Sequence, residues 1–501
     1  MPDKPSFQVI VLGPTGGPRE DNVTGILVRS ISTKWTPNSV VAVDAGTMLA
    51  GIIRLLDKYI PGSKDEEGIL QDGPFKGLEM PHETAQANAA YVFREIIGAV
   101  LITHPHLDHI SGLAINTPIL EAGSGPKPVA ALPSVLSALK NHMFNDVIWP
   151  NLSDEDGGAG LLTYQRLVEG GNPRFGNGEA RGYVRACNGL LTKCLSVSHG
   201  RCKQRFHPES AAHHRVGSAV FGDQLMLPSR AISVDNTDGS FYSPARSPRI
   251  LPNNPKESIM ATVESSAFFL RDHRTGHEII VFGDVEPDSV AQEPQNKRVW
   301  ETAAPKVASG ILRAIFIECS YTDAVNDAYL YGHLCPRHLI AELKVLAKQV
   351  MDIRDANNAD LKRKRDGTGL PDSGTEVSPR TKRVQSIAGQ KGRKADATSE
   401  PRAHSNLRDS VDYISDDPMG LGFIEGVDPL TEFEIPNPVG WVDADPLPLA
   451  GLPVYIIHIK ESMTDGPPIR DQILKELQAH SKEAHLGCEF FMPDPAEGIW
   501  I

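Results

Sequence analysis

Three histidines and an aspartate fall within the segment THPHLDH, as His104, His106, Asp108 and His109. Neutral imidazoles and carboxylates are ordinary ligands of divalent metal ions. In an extended or tightly turned segment alternate side chains point the same way. His104 and His106 can therefore reach one ion together, while Asp108 and His109 face another position across the turn. A catalytic zinc site takes about three protein ligands and keeps one place open. Two ions therefore need more groups than this cluster supplies. Three later positions have the right character: His199 ends the run CLSVSHG, Asp284 ends EIIVFGDVE, and His458 ends VYIIHIK. One histidine at such a place is usually a satisfied core residue. Four elements of this kind in one chain point to a metal site.

The elements that must carry these groups are legible as apolar runs closed by turn residues. FQVIVLG, VTGILVRS and VVAVDAGT read as buried strands, and HETAQANAAYVFREI (82–96) as a helix capped near Thr84. GAVLITH (98–104) is another strand, so the histidine cluster begins at a strand's C-terminal end, where ligands collect in open α/β sheets. SSAFFLRD, EIIVFGDVE, AIFIECSY and LPVYIIHIK (452–460) continue the pattern, with a helix expected over 336–350. Residues 153–185 and 203–258 read as surface insertions, and 354–410 as a disordered basic linker. Because a core strand follows that linker, the chain reads as one catalytic domain over 1–501 with the linker inserted in it. The run Lys362 to Arg365 reads as solvated linker, with nuclear import as its alternative.

Composition narrows the function. A net charge of −13 argues against a general nucleic-acid binder, whose footprint is basic. It leaves room for a small anion, because bound metal ions invert the local field. The six cysteines form no CxxC pair, no stretch approaches the length of a membrane span, and the reading is a cytoplasmic protein, with the nucleus also open.

The order HxHxDH, His, Asp, His resembles the ligand order of the metallo-β-lactamase superfamily. More narrowly, THPHLDHISGLAIN resembles the signature of the class II cyclic-nucleotide phosphodiesterases, the fungal low-affinity type. LGPTGGPREDNVTGILV, HMFNDVIWPNL, SSAFFLRD, FIECSYTD, YGHLCPRHL and IIHIKES are similar to blocks of the same family. The resemblance implies an α/β fold, the αββα four-layer sandwich, and hydrolysis of 3',5'-cyclic AMP, with cyclic GMP beside it, to the 5'-nucleotide. It implies two divalent ions, zinc foremost, with His104, His106 and His199 on one, Asp108, His109 and His458 on the other, and Asp284 bridging. A water shared by the ions would then be the nucleophile, with Asp108 counted among the catalytic groups. His333 in YGHLCP is the candidate general acid, and Glu318 a carboxylate that orients a histidine.

Other residues receive plainer readings. Asp44 fixes a turn beneath the site, and Gly13, Gly16 and Gly17 form an inter-strand turn, since no Lys-Ser/Thr follows to make a phosphate loop. Asn145 and Trp149 are placed by the resemblance near a base pocket. Cys202, His207, His213 and His214 fit no zinc spacing. The expected partner is the cyclic nucleotide, with no nucleic acid and no membrane, and a homodimer is compatible. The alternatives are a tRNA 3'-end endonuclease of the same superfamily, which needs an RNA-binding arm, and a non-catalytic scaffold that kept the fold.

Overall fold

A computed structural model describes residues 4–63, 65–121, 125–207, 212–215, 259–366, 447–495 and 497–501. In chain order the elements are β1 (Phe7–Gly13), β2 (Gly25–Ser30), β3 (Val40–Val43), α1 (Leu49–Ser63), α2 (Ala85–Tyr91), β4 (Ile97–Leu101) and α3 (Leu107–Asn116). Next come β5 (Lys127–Ala131), α4 (Pro133–Ala138), β6 (Leu162–Arg166), β7 (Val184–Cys187), β8 (Leu190–His207), β9 (Ala212–Arg215) and β10 (Ile259–Asp272). The chain closes with β11 (Glu278–Phe282), α5 (Asn296–Ala308), β12 (Leu312–Glu318), α6 (Pro336–Asp366), β13 (Pro453–Ile457), α7 (Ile469–Glu483), β14 (Glu489–Phe491) and β15 (Gly498–Trp500).

Two sheets result. One has the order β15-β1-β2-β3-β4-β5-β6; the other runs β14-β13-β12-β11-β10-β8-β7, with β9 paired to β8. Alternation along the second sheet shows why its strands read as unbroken apolar runs. Ile279 and Val281 of β11, with Ala314 and Phe316 of β12, join the core shared with the first sheet. Their neighbours Ile280, Phe282, Ile315 and Ile317 join a second core with Trp300 of α5, Leu343 of α6 and Leu477 of α7. A strand buried on both faces loses the polar half of its alternation. The chain therefore forms the expected αββα sandwich.

Within each sheet one run is parallel: β3-β4-β5-β6 in the first and β11-β12-β13-β14 in the second. One compact unit comprises Met1–Lys364 and Pro446–Ile501, and β13 pairs in parallel with β12 although a long polar stretch separates them in sequence.

Local departures from the sequence reading have local causes. Within 153–185, expected as a surface insertion, Leu162–Arg166 forms the edge strand β6 on β5, with Leu162 and Tyr164 buried. Its sequence LTYQR alternates apolar and polar side chains over only five residues, too short a signal to stand out. Helix α6 continues to Asp366 instead of ending near 350, into a charged segment free of Gly and Pro, the strongest helix breakers. It thus takes in the first residues of the expected linker; 367–410 lie outside the described residues. Of the expected insertion 203–258, the backbone is described only for 203–207 and 212–215, in strands β8 and β9. Helix α2 is capped by Thr84, whose Oγ1 accepts from Ala87 N at 3.2 Å, as its sequence suggested.

Phe316 tests the inner core: it is fully buried and stacks on Tyr455 with 4.7 Å between ring centroids. Phe316→Ala should cost about 3–5 kcal/mol of stability, read as a shift of the urea midpoint. A loss below about 1 kcal/mol would mean that the two sheets can collapse onto the gap.

Candidate metal centre

The centre assembles where the two parallel runs end. Beyond β4, Ile102 N still donates to Ala130 O of the neighbouring strand, at 3.0 Å. Thr103 then leaves the ladder: its N and Oγ1 donate to the Asp44 carboxylate at 2.8 Å. That switch ends the strand early and swings His104 and His106 toward the second sheet. His106 is the N-cap of α3, which places Asp108 and His109 in the helix's first turn. A carboxylate there is favoured by the helix dipole. The helix itself lies tight on the turn after β3: Ala45 N donates to His109 O at 2.8 Å and Gly112 N to Gly46 O at 3.1 Å. A side chain at Gly112 would meet Ala45 O at 2.6 Å. The other groups come from the second sheet: His199 within β8, Asp284 after β11 and His458 after β13.

Asp284 is the hub. Its Oδ2 lies 3.6 Å from His104 Nε2, 3.5 Å from His199 Nε2 and 3.1 Å from His458 Nε2, and its Oδ1 lies 3.2 Å from His109 Nε2. His199 Nε2 is also 3.2 Å from His106 Nδ1, and His458 Nε2 is 3.6 Å from Asp108 Oδ2. Two groups of potential ligand atoms emerge, each with all members within 4.8 Å of one another. One joins His104, His106, His199 and Asp284; the other joins Asp108, His109, Asp284 and His458. All the residues singled out in the sequence as candidate ligands come together here, in two groups that share Asp284.

Four of the imidazoles are oriented by partners on their far nitrogen. Nδ1 of His109 donates to Asp44 Oδ2 at 2.7 Å, and Nδ1 of His199 to Gly332 O at 2.8 Å. Nδ1 of His458 meets Thr24 Oγ1 at 2.7 Å, while that hydroxyl donates onward to Thr15 O; Nδ1 of His104 lies 3.1 Å from Thr103 Oγ1. Each partner favours the tautomer that leaves Nε2 with a lone pair facing inward. Nε2 of His104 and of His458 are buried with no hydrogen-bond partner, and Nε2 of His109 and Oδ1 of Asp284 are buried 3.2 Å apart. Buried acceptors without a donor are costly, and so many converging on one carboxylate fit a cation.

Electrostatics agree. Burial, joined for His104 by the His109 charge, holds the His104 and His199 imidazoles well below their usual pKa, and burial lowers His458 too. These rings stay neutral, the form that binds metal. His109 is the exception: burial opposes its charge, but the Asp284 and Asp44 carboxylates overcome that and hold it well above its usual value. For Asp284 burial is likewise outweighed, by the surrounding imidazoles, and the carboxyl stays ionised.

His333 sits beside this cluster rather than in it. Its Nδ1 lies 3.0 Å and 3.1 Å from the two Glu318 oxygens and 3.7 Å from Asp284 Oδ2, with its ring 4.9 Å from that of His199. Burial works against its charge, yet Glu318 and Asp284 raise its pKa. Glu318 also accepts from Val285 N at 2.7 Å and Ser320 Oγ at 2.5 Å, so one carboxylate ties His333 to the loop carrying Asp284. His199, Glu318 and His333 make a third group close enough to hold an ion, but Glu318 is engaged by these donors.

The structure also assigns residues whose part the sequence left open. Asp44 fixes the turn, as expected, and in addition orients His109. Thr24 gave no signal. In the turn after β1, a side chain at Gly16 would meet His458 Nε2 at 2.4 Å, so this glycine makes room for the histidine. Lys460 reaches Asp108 Oδ2 at 3.3 Å; its spacing from His458 in HIK was a usable clue. Asn145 shapes a turn, its Oδ1 accepting from Val147 N and Ile148 N, and Trp149 packs on the core. The side chains of Cys202, His207, His213 and His214 lie outside the described residues.

The family described as cAMP phosphodiesterases class-II matches residues 7–357. The chain is 27% identical to a 3',5'-cyclic-nucleotide phosphodiesterase of Schizosaccharomyces pombe, over 69% of this chain and 76% of that one. It is 26% identical to a probable 3',5'-cyclic-nucleotide phosphodiesterase of Yersinia pestis, over 68% and 72% of the respective chains. A 3',5'-cyclic-nucleotide phosphodiesterase of Candida albicans is 24% identical over 71% of this chain and 85% of its own. The crystal structure of unliganded yeast PDE1 superposes with a TM-score of 0.58 at 18% identity, covering 99% of this chain and all of that one, a likeness of fold. His458 and Lys460 lie beyond the residues matched to the family.

A proton on His109 occupies the lone pair an ion needs, so metal binding must expel it. Because that pKa is raised, the proton is still present at neutral pH, and affinity should climb as pH rises until it is gone. Calorimetry in buffers of different ionisation enthalpy should register a net release of about one proton near pH 7. No release would mean that His109 is already neutral in the ion-free protein.

Proposed function

The chain belongs to the class II cAMP phosphodiesterases, and from that premise we propose that it hydrolyses 3',5'-cyclic AMP, and cyclic GMP beside it, to the 5'-nucleotide with two bound divalent ions. The observation that carries this reading is the pair of clusters sharing Asp284, all but His458 of them inside a match spanning most of the chain. His104, His106 and His199 would hold one ion, Asp108, His109 and His458 the other, with Asp284 common to both. Mixed imidazole and carboxylate ligands suit zinc first, with manganese or iron as substitutes. When bound, the ions supply Lewis acidity, lowering the pKa of water and drawing charge from phosphoryl oxygens.

Hydrolysis adds a water oxygen to phosphorus and breaks the P–O3' bond, leaving an alkoxide that needs a proton. His333 would give it. Glu318 holds Nδ1, which leaves Nε2 to face a leaving group, and its carboxylate raises the pKa of the ring, which favours the charged form an acid needs. Glu318 thus acts as the positioning carboxylate and His333 as the general acid. The tRNA 3'-end endonuclease and the scaffold are not favoured: the family match points elsewhere, and the clustered His and Asp side chains are of a kind that could hold metal. Among the described residues no helix is long and apolar enough to cross a membrane. The five described cysteines are free thiols, which suits the reducing cytoplasm.

The decisive assay measures 5'-AMP released from 3',5'-cyclic AMP with and without a chelator. Chelator-sensitive product is expected; protein carrying about two ions and giving no product would overturn the reading. His109→Ala should lose one ion and all turnover while keeping its circular dichroism spectrum. His333→Ala should slow turnover by roughly 10²–10⁴-fold. It should also abolish the fall in rate at alkaline pH, since the acid is spent as pH rises through the pKa of His333. A loss below about tenfold would remove His333 from that role.

A further inference from the structure

Chain segments from both sheets meet at residues 458–461. Strand β13 ends at Ile457, and His458 turns the chain with a φ of 57°. Ile459 N then donates to Pro14 O at 3.4 Å, Lys460 N to Ser320 O at 3.1 Å and Glu461 N to Gly17 O at 3.0 Å. Fixed on both sides, this segment delivers the Lys460 side chain to the metal centre. Its Nζ lies 2.6 Å from Gly16 O and 3.3 Å from Asp108 Oδ2. An ammonium carries three N–H donors. Two are taken up here, by a backbone carbonyl and by a carboxylate oxygen.

The position of the third donor follows from exposure. His104, His109, His199, Asp284 and His458 are buried, whereas His106 is exposed, and the side chains of Asp108 and Lys460 are 23% and 25% exposed. The accessible side of the cluster is therefore the side of His106, Asp108 and Lys460, and a substrate must enter there. The chemistry asks for a cation at that place. As water adds to a phosphodiester, negative charge builds on the non-bridging oxygens, and preorganised donors aimed at that charge are effective catalysts. Asp108, Asp284 and Glu318 already crowd the centre with carboxylates, and Lys460 is the ammonium that pairs with one of them. Its charge also acts on His458 and His333, so it stands within electrostatic reach of a ligand and of the general acid alike.

We propose that Lys460 is a catalytic residue: its third N–H takes a non-bridging oxygen of the scissile phosphate at the entrance of the centre, while Gly16 O and Asp108 hold the ammonium in place. This rests on the phosphodiesterase reading. No proton leaves Lys460 in the reaction; it contributes charge and direction. Arginine keeps the charge but not the compact geometry, so Lys460→Arg should recover part of what Lys460→Met loses.

The test compares wild type, Lys460→Met and Lys460→Arg at equal metal content, verified by mass spectrometry of the eluted ions. Lys460→Met should keep the wild-type ion content, lose roughly a hundredfold in kcat, and bind inorganic phosphate about tenfold more weakly by calorimetry. Lys460→Arg should fall between the two. A kcat within about threefold of wild type, or unchanged phosphate affinity, would overturn the proposal. So would a loss of ions from Lys460→Met, which would reduce Lys460 to a prop for Asp108. If wild type itself failed to hydrolyse cyclic AMP, the phosphodiesterase reading would fall. The phosphate calorimetry would still decide whether Lys460 contacts an anion.

Discussion

Everything in this centre depends on one buried carboxylate. Asp284 is 1% exposed, yet it stays ionised because imidazoles from both sheets point at it. A lone carboxylate at that depth would cost several kcal/mol, on the order of the stability of the whole domain. Its position is therefore fixed from both sides. Gly283 N donates to Ser266 O at 2.9 Å, and a side chain at Gly283 would fall 2.4 Å from Thr103 Cβ. Thr103 is in turn bound to Asp44, which orients His109. A strand end from one sheet thus rests directly on a loop from the other, and the glycine at the contact sets how closely the sheets approach.

The sandwich turns that contact into a site by symmetry of purpose. Each sheet carries a parallel run, and the C-terminal ends of those runs open on the same place. Groups at strand ends are free of the ladder, so their backbone can turn and their side chains can converge. Supporting residues then couple the two halves. Thr24 after β1 holds His458 after β13, Gly332 before α6 holds His199 in β8, and Glu318 at the end of β12 holds both His333 and the backbone of Val285. The centre is braced by hydrogen bonds that cross between elements distant in sequence, and these orient the imidazoles that converge on Asp284.

What was legible in the sequence follows from this arrangement. The later candidate ligands stood out because they interrupt apolar runs: His458 is conspicuous after VYII, and Asp284 after IIVFG. The sandwich could be inferred because strands buried on both faces leave long unbroken runs. The bracing groups could not be found in the same way. Thr24 and Asp44 are ordinary turn residues by type, and only the folded chain brings them within 2.7 Å of an imidazole. Gly16 reads as one more turn glycine until His458 is seen beside it. Strand β6 is short and half polar because it lies at a sheet edge, and α6 runs on beyond the apolar positions that marked it.

The placement of His458 shows what the fold must achieve against chain entropy. The family match ends at 357, and nearly a hundred residues later the chain returns to set β13 beside β12. The cost of closing so long a connection is modest, since each doubling of length adds only about 0.6 kcal/mol. The return is secured by the parallel ladder, in which Phe316 faces Tyr455 and Glu318 faces Ile457, and by burial of Val454 and Ile456 in the outer core. Because the register of β13 is fixed by its two apolar faces, a slip of one residue would turn Ile457 outward and carry His458 away from Asp284. Packing of aliphatic side chains well outside the centre therefore determines whether the second cluster is complete.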